Sequence, residues 1–166
     1  MVQSVELLLD DTAEAAIRRQ WRMLADAGLP SQQPHHRPHV TLSVASEIWP
    51  RIEKQLREVD FVPFPIDIGA VTVFGGKRPV LVRSVIASDN LLGLHRRVHD
   101  ALAECPGTAA NLSPGHWTPH VTLARRLQPD QLGEAIRAVL RERDIAATAV
   151  GLRRWDGDRR AEWSIT

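Results

Sequence analysis

Apolar and polar positions alternate with two different periods along this chain. Val5 to Leu9 form a short apolar run after polar residues, which predicts a strand. Asp10, Asp11 and Thr12 offer a helix N-terminus. Ala16, Ile17, Trp21, Leu24 and Ala25 then recur at helical spacing, which makes Trp21 a core residue, until Gly28 and Pro30 stop the helix. The polar stretch 31–38 predicts a loop. Val40, Leu42 and Val44 alternate with His39, Thr41 and Ser43, a strand. Residues 47–59 predict a helix with Ile48, Ile52, Leu56 and Val59 on one face and Pro50 tolerated in its first turn.

The same order then returns. Strands are predicted over 64–74 and 79–87, joined by the hairpin loop Gly75-Gly76-Lys77-Arg78. Asp89 and Asn90 can cap a helix over 91–104, with Leu91, Leu94, Val98, Ala101 and Leu102 as its apolar stripe. Residues 105–116 are rich in Pro, Gly, Ser and Asn and read as a loop. Val121 and Leu123 alternate with His120 and Thr122, a strand that can extend to Arg125. Pro129 and Asp130 open a helix to about residue 143, and strands over 146–155 and 160–166 flank the turn Asp156-Gly157-Asp158.

Two halves thus read strand, helix, strand, helix, over 1–60 and 79–143. The second strand of each carries the same five letters, Pro38-His39-Val40-Thr41-Leu42 and Pro119-His120-Val121-Thr122-Leu123. The separation is too long for a stacked solenoid unit and fits an internal duplication about a pseudo-two-fold axis. The 166 residues suffice for one domain with its own core.

Charge narrows the classes of partner. There are 21 basic and 20 acidic residues, and neither half is biased. Bulk electrostatics therefore gives no nucleic-acid tail, and an anionic ligand must meet a local site. Arg far outnumbers Lys, as codon usage of a GC-rich genome would produce. The single cysteine, Cys105, excludes an internal disulfide and a thiolate zinc cage, and reads as a small buried residue near a helix end. No apolar run reaches membrane-spanning length, and the N-terminus lacks the basic and apolar regions of a signal peptide. A cytoplasmic protein is expected.

The repeated pentapeptide carries the chemistry. In a strand, His39 and Thr41 share a face, as do His120 and Thr122, while the valines and leucines face the core. A lone His beside a Thr is an ordinary polar edge. Here a duplication retains the polar pair together with the apolar one. Brought together by a two-fold axis, two imidazoles can serve as base and acid on opposite sides of a phosphorus atom. The hydroxyls of Thr41 and Thr122 can donate to the non-bridging oxygens. Arg125, five residues past His120, adds a fixed positive charge if the chain bends after the strand.

These motifs resemble the 2H phosphoesterase superfamily, named for two His-x-Thr/Ser motifs. Pro119-His120-Val121-Thr122-Leu123-Ala124-Arg125 is similar to the second motif of its bacterial 2′-5′ RNA ligase branch, also described as RNA 2′,3′-cyclic phosphodiesterase. Phe74 followed by Pro79-Val80-Leu81 is similar to another stretch of that branch. The chain departs from it at Ser43-Val44-Ala45-Ser46, where an aromatic-Leu-Gly ending is usual, and at Val82, where Trp is frequent. The resemblance implies an α+β, duplicated bilobal fold over 1–166, with two antiparallel-rich sheets facing a central cleft and helices outside. It implies metal-independent, cofactor-free opening of 2′,3′-cyclic phosphates at RNA ends or on nucleotides, with 2′-5′ RNA ligase activity in the reverse sense. By position it makes His39 and His120 the catalytic pair, Thr41 and Thr122 phosphate ligands, and Arg125 an auxiliary phosphate contact. A nucleotide- or RNA-end-binding module using the same cleft without turnover is the alternative. No membrane or obligate protein partner is expected, and a monomer is.

Aromatic residues near the motifs are candidates for base stacking, Trp117 beside the second motif and Phe74 at a strand end. Trp49, Trp155 and Trp163 carry no signal beyond packing. His35 and His36 read as solvated loop residues, and His95 and His99, at i and i+4, as an exposed helix face. A zinc site drawing on His35, His36, His39 and His116 is the outside reading. Lys77 and Arg78 read as exposed turn charges.

Overall fold

The computed structural model describes residues 2–166. Seven strands and four helices follow one another as β1 (Gln3–Leu9), α1 (Asp11–Asp26), β2 (His39–Ala45), α2 (Pro50–Arg57), β3 (Phe64–Phe74), β4 (Val80–Val85), α3 (Asp89–Ala101), β5 (His120–Ala124), α4 (Leu132–Val139), β6 (Ile145–Asp156) and β7 (Ala161–Ser164). Short 3-10 turns occupy Ala110–Leu112 and Pro129–Gln131.

The elements start and stop where local chemistry dictates. The Asp10 carboxylate accepts from the Ala13 amide at 3.0 Å and caps α1. Pro50 takes the first position of α2, where its missing N–H costs nothing. Ser88, rather than the expected Asp89 or Asn90, caps α3 through the Leu91 amide. α4 is shorter than its pattern predicts. Its first turn is 3-10, and the Arg83 guanidinium takes the carbonyls of Val139 and Glu142 at 3.2 and 3.0 Å where the helix ends.

All strand pairs are antiparallel, in the order β1-β2-β5-β4-β3-β6-β7. β1 also pairs with β6, so six of the strands close a ring of pairings. The long β6 makes this possible. Its residues 145–149 pair with β3 and residues 149–156 with β1. The α+β class holds, and the two expected strand groups are hydrogen-bonded into one sheet. Their thinnest junction is β2–β5, joined at the single pair Val40↔Val121.

One face of the strands is apolar. Val5, Leu7 and Leu9 of β1, Val40 and Leu42 of β2, and Val121 and Leu123 of β5 are at most 1% exposed. Against them lie Ala13, Ile17, Trp21 and Leu24 of α1, Leu91, Leu94 and Val98 of α3, and Ala135 and Val139 of α4. Each fully buried leucine contributes about 1.5–3 kcal/mol. By strand alternation the polar pairs of β2 and β5 are turned away from this core, and all four side chains are half-buried.

Candidate active site

The single β2–β5 bridge places the two pentapeptides side by side. Their central valines, Val40 and Val121, are direct partners. Continued by one residue each way, the antiparallel register sets His39 beside Thr122 and Thr41 beside His120. The proximity of the imidazoles has an electrostatic consequence. His120 is held below the ordinary histidine value first by burial, then by the charges of Arg125 and His39, against an opposing contact from the Thr118 carbonyl.

Both imidazoles are oriented in the same way. His39 Nδ1 lies 2.8 Å from the carbonyl of Arg37, and His120 Nδ1 lies 2.7 Å from the carbonyl of Thr118. A carbonyl only accepts, so each Nδ1 carries the hydrogen. Each Nε2 is thereby left to take or give a proton.

The strands also part in the same way at both motifs. The Trp21 indole N–H donates to the Thr122 carbonyl at 3.0 Å, and the Trp117 indole N–H donates to the Thr41 carbonyl at 3.1 Å. Each indole thus ties a carbonyl beside the bridge to a residue distant in sequence. Trp117 does not stand free as the stacking platform its position suggested. His95 covers it at 3.9 Å, with ring planes 5° apart, so the indole is committed to the protein. His95 is itself 1% exposed and bonded to the Leu112 carbonyl at 2.8 Å, which corrects the expected exposed helix face.

Phe74 meets the site directly, its ring edge-on to His120 with centroids 4.7 Å apart. Beside it on the same strands, Thr72 Oγ1 and Ser84 Oγ are 2.5 Å apart. Arg125 is exposed just past the end of β5. Arg126 has φ 62°, so the chain turns just past Arg125. His35 and His36 contact each other at 4.5 Å, and His36 is held below the ordinary histidine value by burial first, then by the charges of His35, His39 and Arg153. His36 therefore belongs to the surroundings of His39. Lys77 and Arg78 are exposed in the β3–β4 turn, and Cys105 is buried, its thiol pushed up by that burial. Among the described residues, no three His, Cys, Asp or Glu side chains converge to hold a metal, and no helix is long and apolar enough to cross a membrane.

Sequence reasoning missed two residues of this region. Glu6, 4% exposed, accepts from Arg153 Nε at 2.6 Å and from Ser4 Oγ at 2.7 Å. Its other contact is with His39 Nε2, at 3.5 Å. The available signal was an acid in the middle of the apolar run Val5–Leu9, and an arginine inside a strand facing it across the β1–β6 pairing.

The sequence profile of the 2′-5′ RNA ligase superfamily matches residues 9–159. The chain belongs to this superfamily, the 2H phosphoesterases. Membership places it among phosphodiesterase- and ligase-type enzymes. Solved structures share the fold at low identity. TT0787 of Thermus thermophilus is 18% identical with a TM-score of 0.64, over 100% of this chain and 96% of that one. E. coli LigT complexed with 3′-AMP is 18% identical with a TM-score of 0.61, over 100% and 99%. Kluyveromyces marxianus Usb1 with uridine monophosphate is 14% identical with a TM-score of 0.55, over 99% and 97%. No curated protein matches the sequence.

Proposed function

We propose that this protein hydrolyses 2′,3′-cyclic phosphates at RNA ends or on nucleotides. The observation that carries this reading is the symmetric pair of imidazoles. Each has its Nδ1 tied to a backbone carbonyl, and they sit on strands joined between the two motifs. Superfamily membership supports the reaction class, and nucleotides bound to LigT and Usb1 support a nucleotide ligand.

In the reaction, a water oxygen forms a new bond to phosphorus as its proton passes to one Nε2. The bond from phosphorus to a ribose oxygen breaks as the other Nε2 gives that oxygen a proton. Thr41 and Thr122 donate to the non-bridging oxygens, and Arg125 holds the phosphate by charge. Phe74 offers an aromatic surface beside His120 for the sugar or base. Trp117 acts from behind, by fixing the Thr41 carbonyl.

A product-resolved assay over a panel of 2′,3′-cyclic nucleotides and short RNAs, with chelator present, tests the proposal. His39→Ala and His120→Ala are each expected to lower the rate by about 10²–10⁴-fold without unfolding the protein. Binding without turnover in the unaltered protein, or near-normal rates in either variant, would refute it.

A further inference from the structure

Glu6 stands where a carboxylate is expensive. Its strand neighbours Val5 and Leu7 are fully buried, and its own side chain is 5% exposed. Arg153 compensates for it, but Arg153 has a second carboxylate partner, Glu162, on its other side. One guanidinium thus faces two carboxylates, and the cluster carries one negative charge in excess. That excess is turned toward His39, because Ser4 and Arg153 hold the Glu6 carboxylate with Oε1 3.5 Å from His39 Nε2.

Surrounding groups make the two histidines unequal. Around His39, β1 supplies Glu6, β6 supplies Arg153 and β7 supplies Glu162 through Arg153. The preceding loop supplies His36 and the Arg37 carbonyl, the Arg37 guanidinium being engaged by Glu14, and β5 supplies His120. Arg153 Nη2 comes no nearer to His39 Nδ1 than 3.5 Å, and Nδ1 already faces a carbonyl at 2.8 Å. So the polar contact at Nε2, the nitrogen free to exchange a proton, is anionic. His120 instead lies within the field of the Arg125 charge, which lowers its proton affinity.

We propose that Glu6, clamped by Arg153 and Ser4, is a positioning residue that makes His39 the proton donor of the pair and leaves His120 as the base. This rests on the phosphoesterase reading above and assigns within it what the two identical motifs leave open. A carboxylate beside Nε2 supports an imidazolium there, while burial and the charge of Arg125 support a neutral His120 ring. Glu6 keeps its own negative charge in the interior, since the charges of His39 and Arg153 and the hydrogen bonds from Ser4 and Arg153 outweigh the burial that opposes it. After one turnover His39 is neutral and His120 protonated, and exchange with solvent restores the starting state.

The test is a titration of the imidazole ring signals by NMR in the substrate-free protein, for the unaltered chain, Glu6→Gln and Glu6→Asp. In Glu6→Gln the His39 signal is expected to titrate about one pH unit or more lower, with His120 moving less and in the opposite sense as the charge of His39 is withdrawn. Glu6→Asp is expected to restore most of the difference. With a cyclic nucleotide, the alkaline limb of the kcat/KM profile should move down in Glu6→Gln by more than the acid limb moves up. An unmoved His39 signal in a folded but less stable Glu6→Gln protein makes Glu6 only a counter-ion of Arg153, and overturns the proposal. If Glu6→Gln does not fold, Glu162→Gln lowers the negative charge from the half-exposed edge of the cluster. A smaller shift in the same direction is expected, and its absence has the same meaning. The NMR titration needs no turnover, so a protein inactive on every cyclic phosphate sinks the phosphoesterase reading separately.

Discussion

A histidine becomes a useful acid or base only when its tautomer is fixed, and here two backbone carbonyls fix both rings. What distinguishes the rings is the charge around each. Arg125 holds down the proton affinity of His120, after burial. Arg125→Ala should therefore raise the pH at which His120 takes up a proton. As a base, His120 must be neutral, so the acid limb of the rate profile should move to higher pH, and KM should rise with the lost phosphate contact. A profile that keeps its acid limb in Arg125→Ala would contradict this placement. Thr122→Val removes a donor from the phosphate while conserving volume. If that hydroxyl stabilises transition-state charge, kcat should fall on the order of 10²-fold, as for loss of other preorganised donors. A loss confined to KM would leave Thr122 as a ground-state ligand only.

At the scale of the elements, the site depends on two strands that meet once and then part. The indoles of Trp117 and Trp21 bond the Thr41 and Thr122 carbonyls on either side of that meeting point. Trp117→Phe keeps an aromatic ring against His95 but removes the indole donor from the Thr41 carbonyl. The expected cost is about 0.5–1.5 kcal/mol in urea denaturation, with a fall in kcat as β2 loses its anchor. Phe in place of Trp with unchanged stability would show that the hydrogen bond contributes nothing. The far end of β2 is tied differently. The Ser46 amide donates to the Pro106 carbonyl at 2.8 Å, and Gly107 follows with φ 68°. A Cβ there would meet Ser46 Oγ at 1.9 Å. Gly107→Ala is expected to destabilise the fold by more than about 1 kcal/mol, measured by the same denaturation curve.

Across the whole molecule, the histidines couple the fold to pH. His36, His95 and His120 are each held below the ordinary histidine value, with burial the largest cause in every case. An unfolded chain takes up these protons first as pH falls. The stability these neutral rings contribute is complete above the ordinary histidine value and is lost as pH falls through their lowered folded values. The carboxyls of Glu6, Asp10 and Glu14 are also held low in the folded protein, against the burial that raises them, by the charges and hydrogen bonds around them. Their contribution is lost in a second, more acidic window. Urea midpoints should decline as pH falls below the ordinary histidine value and again in the more acidic carboxyl range. A flat response over the first interval would mean that the buried His95 does not resist protonation.

Much of this was written along the chain. Period-two and period-3.6 patterns are local properties of a sequence, so they determined the order of strands and helices and put His39, Thr41, His120 and Thr122 on the polar face of their strands. The duplicated pentapeptide by itself named the two imidazoles, because repetition of a polar pair has no packing explanation. Periodicity carries no information on long-range partners, and there the tertiary structure decided. Ring closure through β1–β6, the commitment of Trp117 to His95, and the burial of His95 each depend on residues distant in sequence. So does the difference between the two motifs. Identical letters at 39–41 and 120–122 acquire different surroundings because Glu6 and Arg153, at opposite ends of the chain, meet beside one of them, while burial and the charge of Arg125 act on the other. Electrostatic energy depends on distance through space, and only the fold sets that distance.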